Sequence, residues 1–129
     1  MFLSNDIGKL LLRLTVGILM LFHGVEKIIH GIGGIKHLTV SAGLPEFVAY
    51  GVYVGEVIAP IFIILGLYAR VASLFLAVNM MMAIFLAYGK GLFAIGQHGA
   101  LVSELPLFYL LLSISIFLLG SGKYAVNAK

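Results

Sequence analysis

Apolar runs separated by glycine-rich polar stretches set the pattern of this chain. They cover approximately residues 7–29, 47–68, 70–89 and 103–120. Each is close to the roughly 20 residues that a helix needs to cross a hydrocarbon core about 30 Å thick. The first two runs are joined by a polar, glycine-rich stretch, 30–46, read as a loop ending in the turn Gly43-Leu44-Pro45. Pro45 suits the first turn of a helix, where its missing N–H loses nothing. The second and third runs are separated only by a short link to Arg70. A second glycine-rich loop with Lys90, Gln97 and His98 precedes the last run. There Ser103 is placed to cap the helix, and Glu104 in its first turn suits the helix dipole. Gly120-Ser121-Gly122 closes the run and leaves a short tail.

Polar positions inside these runs are few, which makes each informative. Glu56 falls near the middle of the second run, beside Gly51 and Gly55, with Pro60 one turn further on. A carboxylate at that depth costs a few kcal/mol on insertion scales and faces a partner or a wet cavity. In the first run, Arg13, Gly17, Met20, Gly24 and Lys27 share one stripe at about 100° per residue. Glycines between two cations suggest a face turned toward another helix. Asn79 is the strongly polar side chain of the third run.

Composition supports lipid as the solvent. The chain has 129 residues, 62% hydrophobic and 10% charged, with mean hydropathy +1.16. A soluble domain of this size cannot hide so much apolar surface. The expected fold is all-α: one domain over residues 1–129, an integral membrane bundle of four transmembrane helices. The first run continues past signal-peptide length without a small-residue cleavage site, so it is expected to remain in the mature protein. Lys9, Arg13, Arg70, Lys123 and Lys129 lie on the side of the termini, against Lys27, Lys36 and Lys90 on the other. The positive-inside rule then puts both termini in the cytoplasm. The net charge of +3 is scattered, which argues against nucleic acid as a partner. Without cysteine the chain has no disulfide, thiolate ligand or dithiol relay.

The polar residues gather toward the half of the bundle away from the termini. Glu56 lies near the midplane and Glu104 begins the fourth helix. His23, Glu26 and Lys27 occupy the same half of the first helix, and Tyr53 shares a face with Glu56. Arg13, deeper on the opposite side, is expected to reach toward Glu56 or Asn79. Bland readings compete with these. Lys27 and Arg13 can snorkel, Glu104 can merely match the dipole, and His98 reads more simply as a loop residue. Met80, Met81 and Met82 read as packing side chains, and Gly51 to Gly55 as a GxxxG contact within the bundle or a homo-oligomer. His23, Glu26 and His30 have an H-x2-E-x3-H spacing, but without a second motif no metal is assigned.

The segments LLRLTVGILMLFHGVEK, GLPEFVAYGVYVGEVIAPIFIILGLYARVASL and SELPLFYLLLSISIFLLGSGKYAV together resemble the DoxX family of small bacterial membrane proteins. The resemblance rests on Arg13, His23-Gly24-x-x-Lys27, the Gly-Leu-Pro turn, Gly55-Glu56, Leu65-Gly66 with Arg70, Glu104 and Gly120-x-Gly122. It implies a four-helix inner-membrane protein associated with redox chemistry, some relatives being linked to thiosulfate:quinone oxidoreduction or quinone handling.

The leading expectation is therefore a membrane redox protein or redox-complex subunit with a quinone in an intrabundle polar site. Such a ligand needs an apolar slot, hydrogen-bond donors at its carbonyls and a nearby proton donor or acceptor. Glu56, Glu104 and Lys27 are the candidate catalytic groups, and Arg13, His23 and Tyr53 the candidate quinone-binding groups. No flavin, haem or iron–sulfur motif is visible, so electrons are expected from a redox partner subunit. The alternatives are a proton-coupled small-solute transporter and an assembly or scaffold subunit in which Arg13 and Glu56 merely specify the fold.

Overall fold

The computed structural model describes residues 4–91, 93–97 and 99–127. Its helices are α1 (Asn5–His30), α2 (Gly33–Ser41), α3 (Glu46–Leu65), α4 (Ala69–Ala87) and α5 (Glu104–Leu119). A single isolated antiparallel bridge, Ile95 with Leu101, is the β-type pairing among the described residues. Helices α1, α3 and α4 are long and apolar enough to cross a membrane. The 16 residues of α5 give about 24 Å of rise.

Local chemistry sets several of the boundaries. The Ser4 hydroxyl accepts from the Ile7 N–H at 3.3 Å, and Asp6 lies in the first turn of α1. Lys27 and His30 fall in its last turn, where cations suit the dipole. The expected helix over 47–68 stops at Leu65, because Gly66 turns left-handed at φ 71°. Tyr68 follows it at φ 48° before α4 begins. Ser103 precedes α5 without making a side-chain cap.

The stretch 30–46 is not the loop its glycines suggest. Gly33–Ser41 is helical. Gly33 and Gly34 weaken the helix intrinsically, yet Ile32 is buried with Ala49 and Val52, and Ile35 packs against that group. Thr39 is also buried, its hydroxyl donating to the Ile35 carbonyl at 2.7 Å. Burial against α3 outweighs propensity, as it does for most protein helices.

Helix α3 is irregular where Glu56 lies. It opens as a 3₁₀ turn over Glu46–Tyr50, and Val54–Ile58 forms a π turn in which the Ala59 N–H reaches the Val54 carbonyl. Pro60 gives the reason. A proline inside a helix has no N–H for the carbonyl four residues back and its ring crowds that carbonyl, here Glu56. A wider turn relieves the crowding, and such π turns are frequent at functional sites.

Small residues set how closely the helices approach. A Cβ on Gly24 would overlap the Glu56 carbonyl, and one on Gly17 would fall 3.0 Å from the Pro60 carbonyl. Thus α1 crosses α3 over its proline-disturbed segment. Arg13, Val16, Gly17, Met20 and Gly24 are the buried residues of α1, so the predicted stripe faces the bundle. Gly55 packs on the Asn79 side chain, joining α3 to α4, whereas Gly51 has nothing within 4 Å. The most extensive helix–helix contact is between α4 and α5. Val16, Met20, Ile63, Leu76, Met80, Tyr109 and Ile116 belong to the main core. Large apolar side chains such as Phe22, Phe85 and Leu118 point outward, as helices solvated by lipid require.

The tail after α5 folds back over the end that carries the N-terminus. The Val126 and Asn127 N–H groups donate to the Leu65 and Gly66 carbonyls, and the Lys123 N–H to Asp6. Gly120 lies against Arg70 and Gly122 against Lys9. Lys9, Arg70 and Lys123 therefore share one end of the bundle, with Lys27 and Lys36 toward the other. His98 and Lys129 lie outside the described residues.

Candidate functional site

The π turn of α3 places Glu56 against α1 and α4 with 4% of its surface exposed. Its two carboxylate oxygens have different partners. Lys27 Nζ donates to Oε1 at 2.5 Å, and Asn79 Nδ2 donates to Oε2 at 3.0 Å. Gly24 lets α1 come close enough for Lys27, one turn further along, to reach the carboxylate. Gly55 does the same for Asn79. The Tyr53 hydroxyl donates to the Lys27 carbonyl at 3.3 Å, tying the end of α1 to α3. Tyr109 of α5 is buried next to the His23 ring, one turn of α1 from Lys27.

This cluster forms the polar wall of a hollow of about 430 Å³ between α2, α3 and α4. Thr39, Val52, Phe75 and Met82 are among the side chains that complete it. A site of this kind, largely apolar with a few convergent polar groups, has the size and character of small-molecule pockets. Helix α2 roofs it with Ile35, Leu38 and Thr39. Lys36 holds this roof to α3: its ammonium lies 4.7 Å from the centre of the Tyr50 ring and 3.9 Å from Glu46. The Tyr50 side chain raises the Lys36 pKa above its ordinary value, partial desolvation opposes it, and the Tyr50 and Glu46 charges add to the rise.

The other candidate residues are dispersed. Arg13 does not approach Glu56. It is 1% exposed, and both of its terminal nitrogens donate to the Tyr124 carbonyl, at 3.0 and 2.6 Å. It stands about 16 Å of helix rise from Gly24, the residue that crosses Glu56. The expected Arg13–Glu56 pair is thus replaced by Lys27–Glu56, because the crossing falls near the other end of the shared stripe. His23 turns its ring edge-on to Tyr109, with centroids 5.7 Å apart. Glu26 and His30 face each other at 3.6 Å on the exposed surface, so the three do not converge. Glu104 is exposed at the start of α5 and makes no ion pair among the described residues. Met80 is buried in the core, whereas Met81 is exposed and Met82 borders the hollow.

Two contributors escape a reading of the sequence. Thr39 lies in a stretch read as a loop. Tyr109 is the one phenol within α5, a signal that draws attention only after α5 is known to pack beside α1.

Comparison with known proteins identifies relatives over most of the chain. A "Putative oxidoreductase CatD" of Bacillus subtilis is 34% identical over 124 residues, 96% of this chain and 87% of that protein. An uncharacterized protein of Haemophilus influenzae is 32% identical over 122 residues, 92% of this chain and 87% of that protein. No solved structure matches the chain significantly. The DoxX family model matches residues 8–89, the stretch that supplies Lys27, Glu56 and Asn79 together with the helices that hold them. The chain belongs to the DoxX family.

Proposed function

We propose that this protein binds a quinone in the hollow between α2, α3 and α4, as a redox protein or the quinone-binding subunit of a redox complex in the bacterial inner membrane. The observation that carries this reading is the Lys27–Glu56–Asn79 cluster set in the wall of an otherwise mostly apolar hollow at membrane depth. An ammonium and a carboxylate paired away from bulk water are groups that can give and accept a proton at a bound ligand. Lys27 and Asn79 each keep N–H groups beyond the one given to Glu56, and these are available to a carbonyl oxygen. A quinone supplies a reversible acceptor of electrons and protons. The chain's own part is to hold the head, exclude water and move a proton at a Glu56 oxygen.

The electrons come from a reduced partner subunit in this reading. The oxidoreductase name given to the Bacillus relative supports it. Both termini lie on the cytoplasmic side, by the excess of lysine and arginine at their end of the bundle. Arg13 and Glu104 stand outside this site. Arg13 holds the tail, and Glu104 faces outward at the start of α5.

The test is ligand-induced stabilisation of purified protein by a decyl-bearing benzoquinone. A ligand at a hundred times its Kd stabilises the folded state by about 2.7 kcal/mol. Wild type should show this rise in unfolding temperature, and Glu56→Gln should lose most of it. No rise in wild type refutes the proposal. Proteoliposome flux that depends on Glu56 without any quinone effect would assign the cluster to a transport path instead.

A further inference from the structure

The hollow that holds the polar cluster does not end at Glu56. A second hollow of about 280 Å³ lies further along the same α3–α4 interface, bordered by Ile58, Phe62, Tyr68 and Val71 and presenting only apolar atoms. The two share Val54 and Phe75 as lining residues. They adjoin at these two side chains and together line α4 from Ala87 to Tyr68, with the polar groups confined to the first. From Asn79 to Tyr68 the groove covers about 16 Å of helix rise.

We infer that this groove seats the hydrocarbon tail of the ligand whose head lies at Lys27, Glu56 and Asn79, so that the site selects tailed amphiphiles and fixes their direction. The inference rests on the head-group reading proposed above and names the ligand class it admits: a hydrogen-bond-accepting ring with a long prenyl or alkyl chain. Direction follows from the roof. Helix α2 closes the hollow on its own side with Ile35, Leu38 and Thr39, so a chain attached to the head is turned away from it. The continuing groove runs toward the Arg13–Tyr124 end. Val54, Phe75 and Val71 are 38%, 54% and 52% exposed, so the groove opens sideways and the ligand enters from within the bilayer.

In lipid a tail gains little from leaving water, because the membrane already solvates it. It gains from packing against a fitted wall. The tail should therefore raise affinity moderately, on the order of fivefold. The experiment titrates two benzoquinones, one with a decyl chain and one without, into the full chain in a single detergent, reading thermal stabilisation. Wild type, Val71→Trp and Phe62→Trp are compared, the last two filling the second hollow without touching the polar cluster. The expected result is a decyl advantage in wild type that falls below about twofold in either folded variant, with tail-free binding unchanged. Micelle partitioning is common to all three proteins, so it cannot produce that difference. An equal decyl advantage in all three proteins, or none in wild type, overturns the tail assignment while leaving the head site standing. Failure of both compounds to bind wild type overturns the head-site reading and this inference with it. Native mass spectrometry separates the other source of a chain. A phospholipid retained by wild type, absent from Val71→Trp and not displaced by the decyl compound would assign the groove to an acyl chain and overturn the inference.

Discussion

Replacing Lys27 by methionine removes the cation from a carboxylate that is only 6% exposed at its side chain, while leaving a side chain of similar length. Glu56 then keeps Asn79 as its remaining donor. Breaking one side of a buried ion pair costs roughly 3–5 kcal/mol. The lower end applies here, because the Lys27 side chain is 22% exposed and the pair is not fully dry. Glu56→Gln is gentler. The glutamine amide satisfies Asn79 or Lys27 through its oxygen but turns an N–H₂ group toward the other, leaving one mismatched polar contact worth about 1–3 kcal/mol. The released Lys27 sits near the end of α1 and can extend its ammonium toward the membrane surface. The two single costs should therefore be unequal, Lys27→Met exceeding Glu56→Gln. The double variant should be more stable than their sum predicts by at least about 1 kcal/mol, within the range of coupling for residues in contact. The assay is reversible unfolding in mixed micelles by titration with a denaturing detergent, followed by circular dichroism for all four proteins. Additive costs within about 0.3 kcal/mol would refute the pairing. Full retention of function by the double variant would favour a fold-specifying role over proton exchange.

Other predictions concern the remaining contacts. Gly24→Ala forces a methyl group into the Glu56 carbonyl and should destabilise by about 3 kcal/mol in the same assay, whereas Gly8→Ala meets nothing within 4 Å and should gain up to about 1 kcal/mol. Truncation after Gly122 strips Arg13 of both bonds to the Tyr124 carbonyl. It should cost about 3 kcal/mol or more for a buried guanidinium left without acceptors. Adding Arg13→Leu to the truncated chain should restore part of that loss, seen as a higher unfolding midpoint. Tyr53→Phe removes a single hydroxyl bond to the Lys27 carbonyl and should cost only about 0.5–1.5 kcal/mol.

Hydropathy alone determined that this chain is helical and embedded in lipid, because runs of that length and apolarity have no other stable environment. It also marked Glu56 as the residue needing a partner and the Arg13–Lys27 stripe as the face supplying one, since a charge at midplane depth can neither snorkel nor stay unpaired. Tertiary structure decided which cation answers. Arg13 and Lys27 share the stripe, and only the crossing of Gly24 over the Glu56 carbonyl selects Lys27. That left Arg13 to the tail carbonyl, a pairing between residues far apart in the chain that no periodicity encodes. The π turn at Val54–Ile58 and the helix at Gly33–Ser41 were likewise settled by packing. Pro60 accounts for the first locally but does not fix which residues the wider turn presents, and the glycines argue against the second, so contacts with the neighbouring helices made the difference.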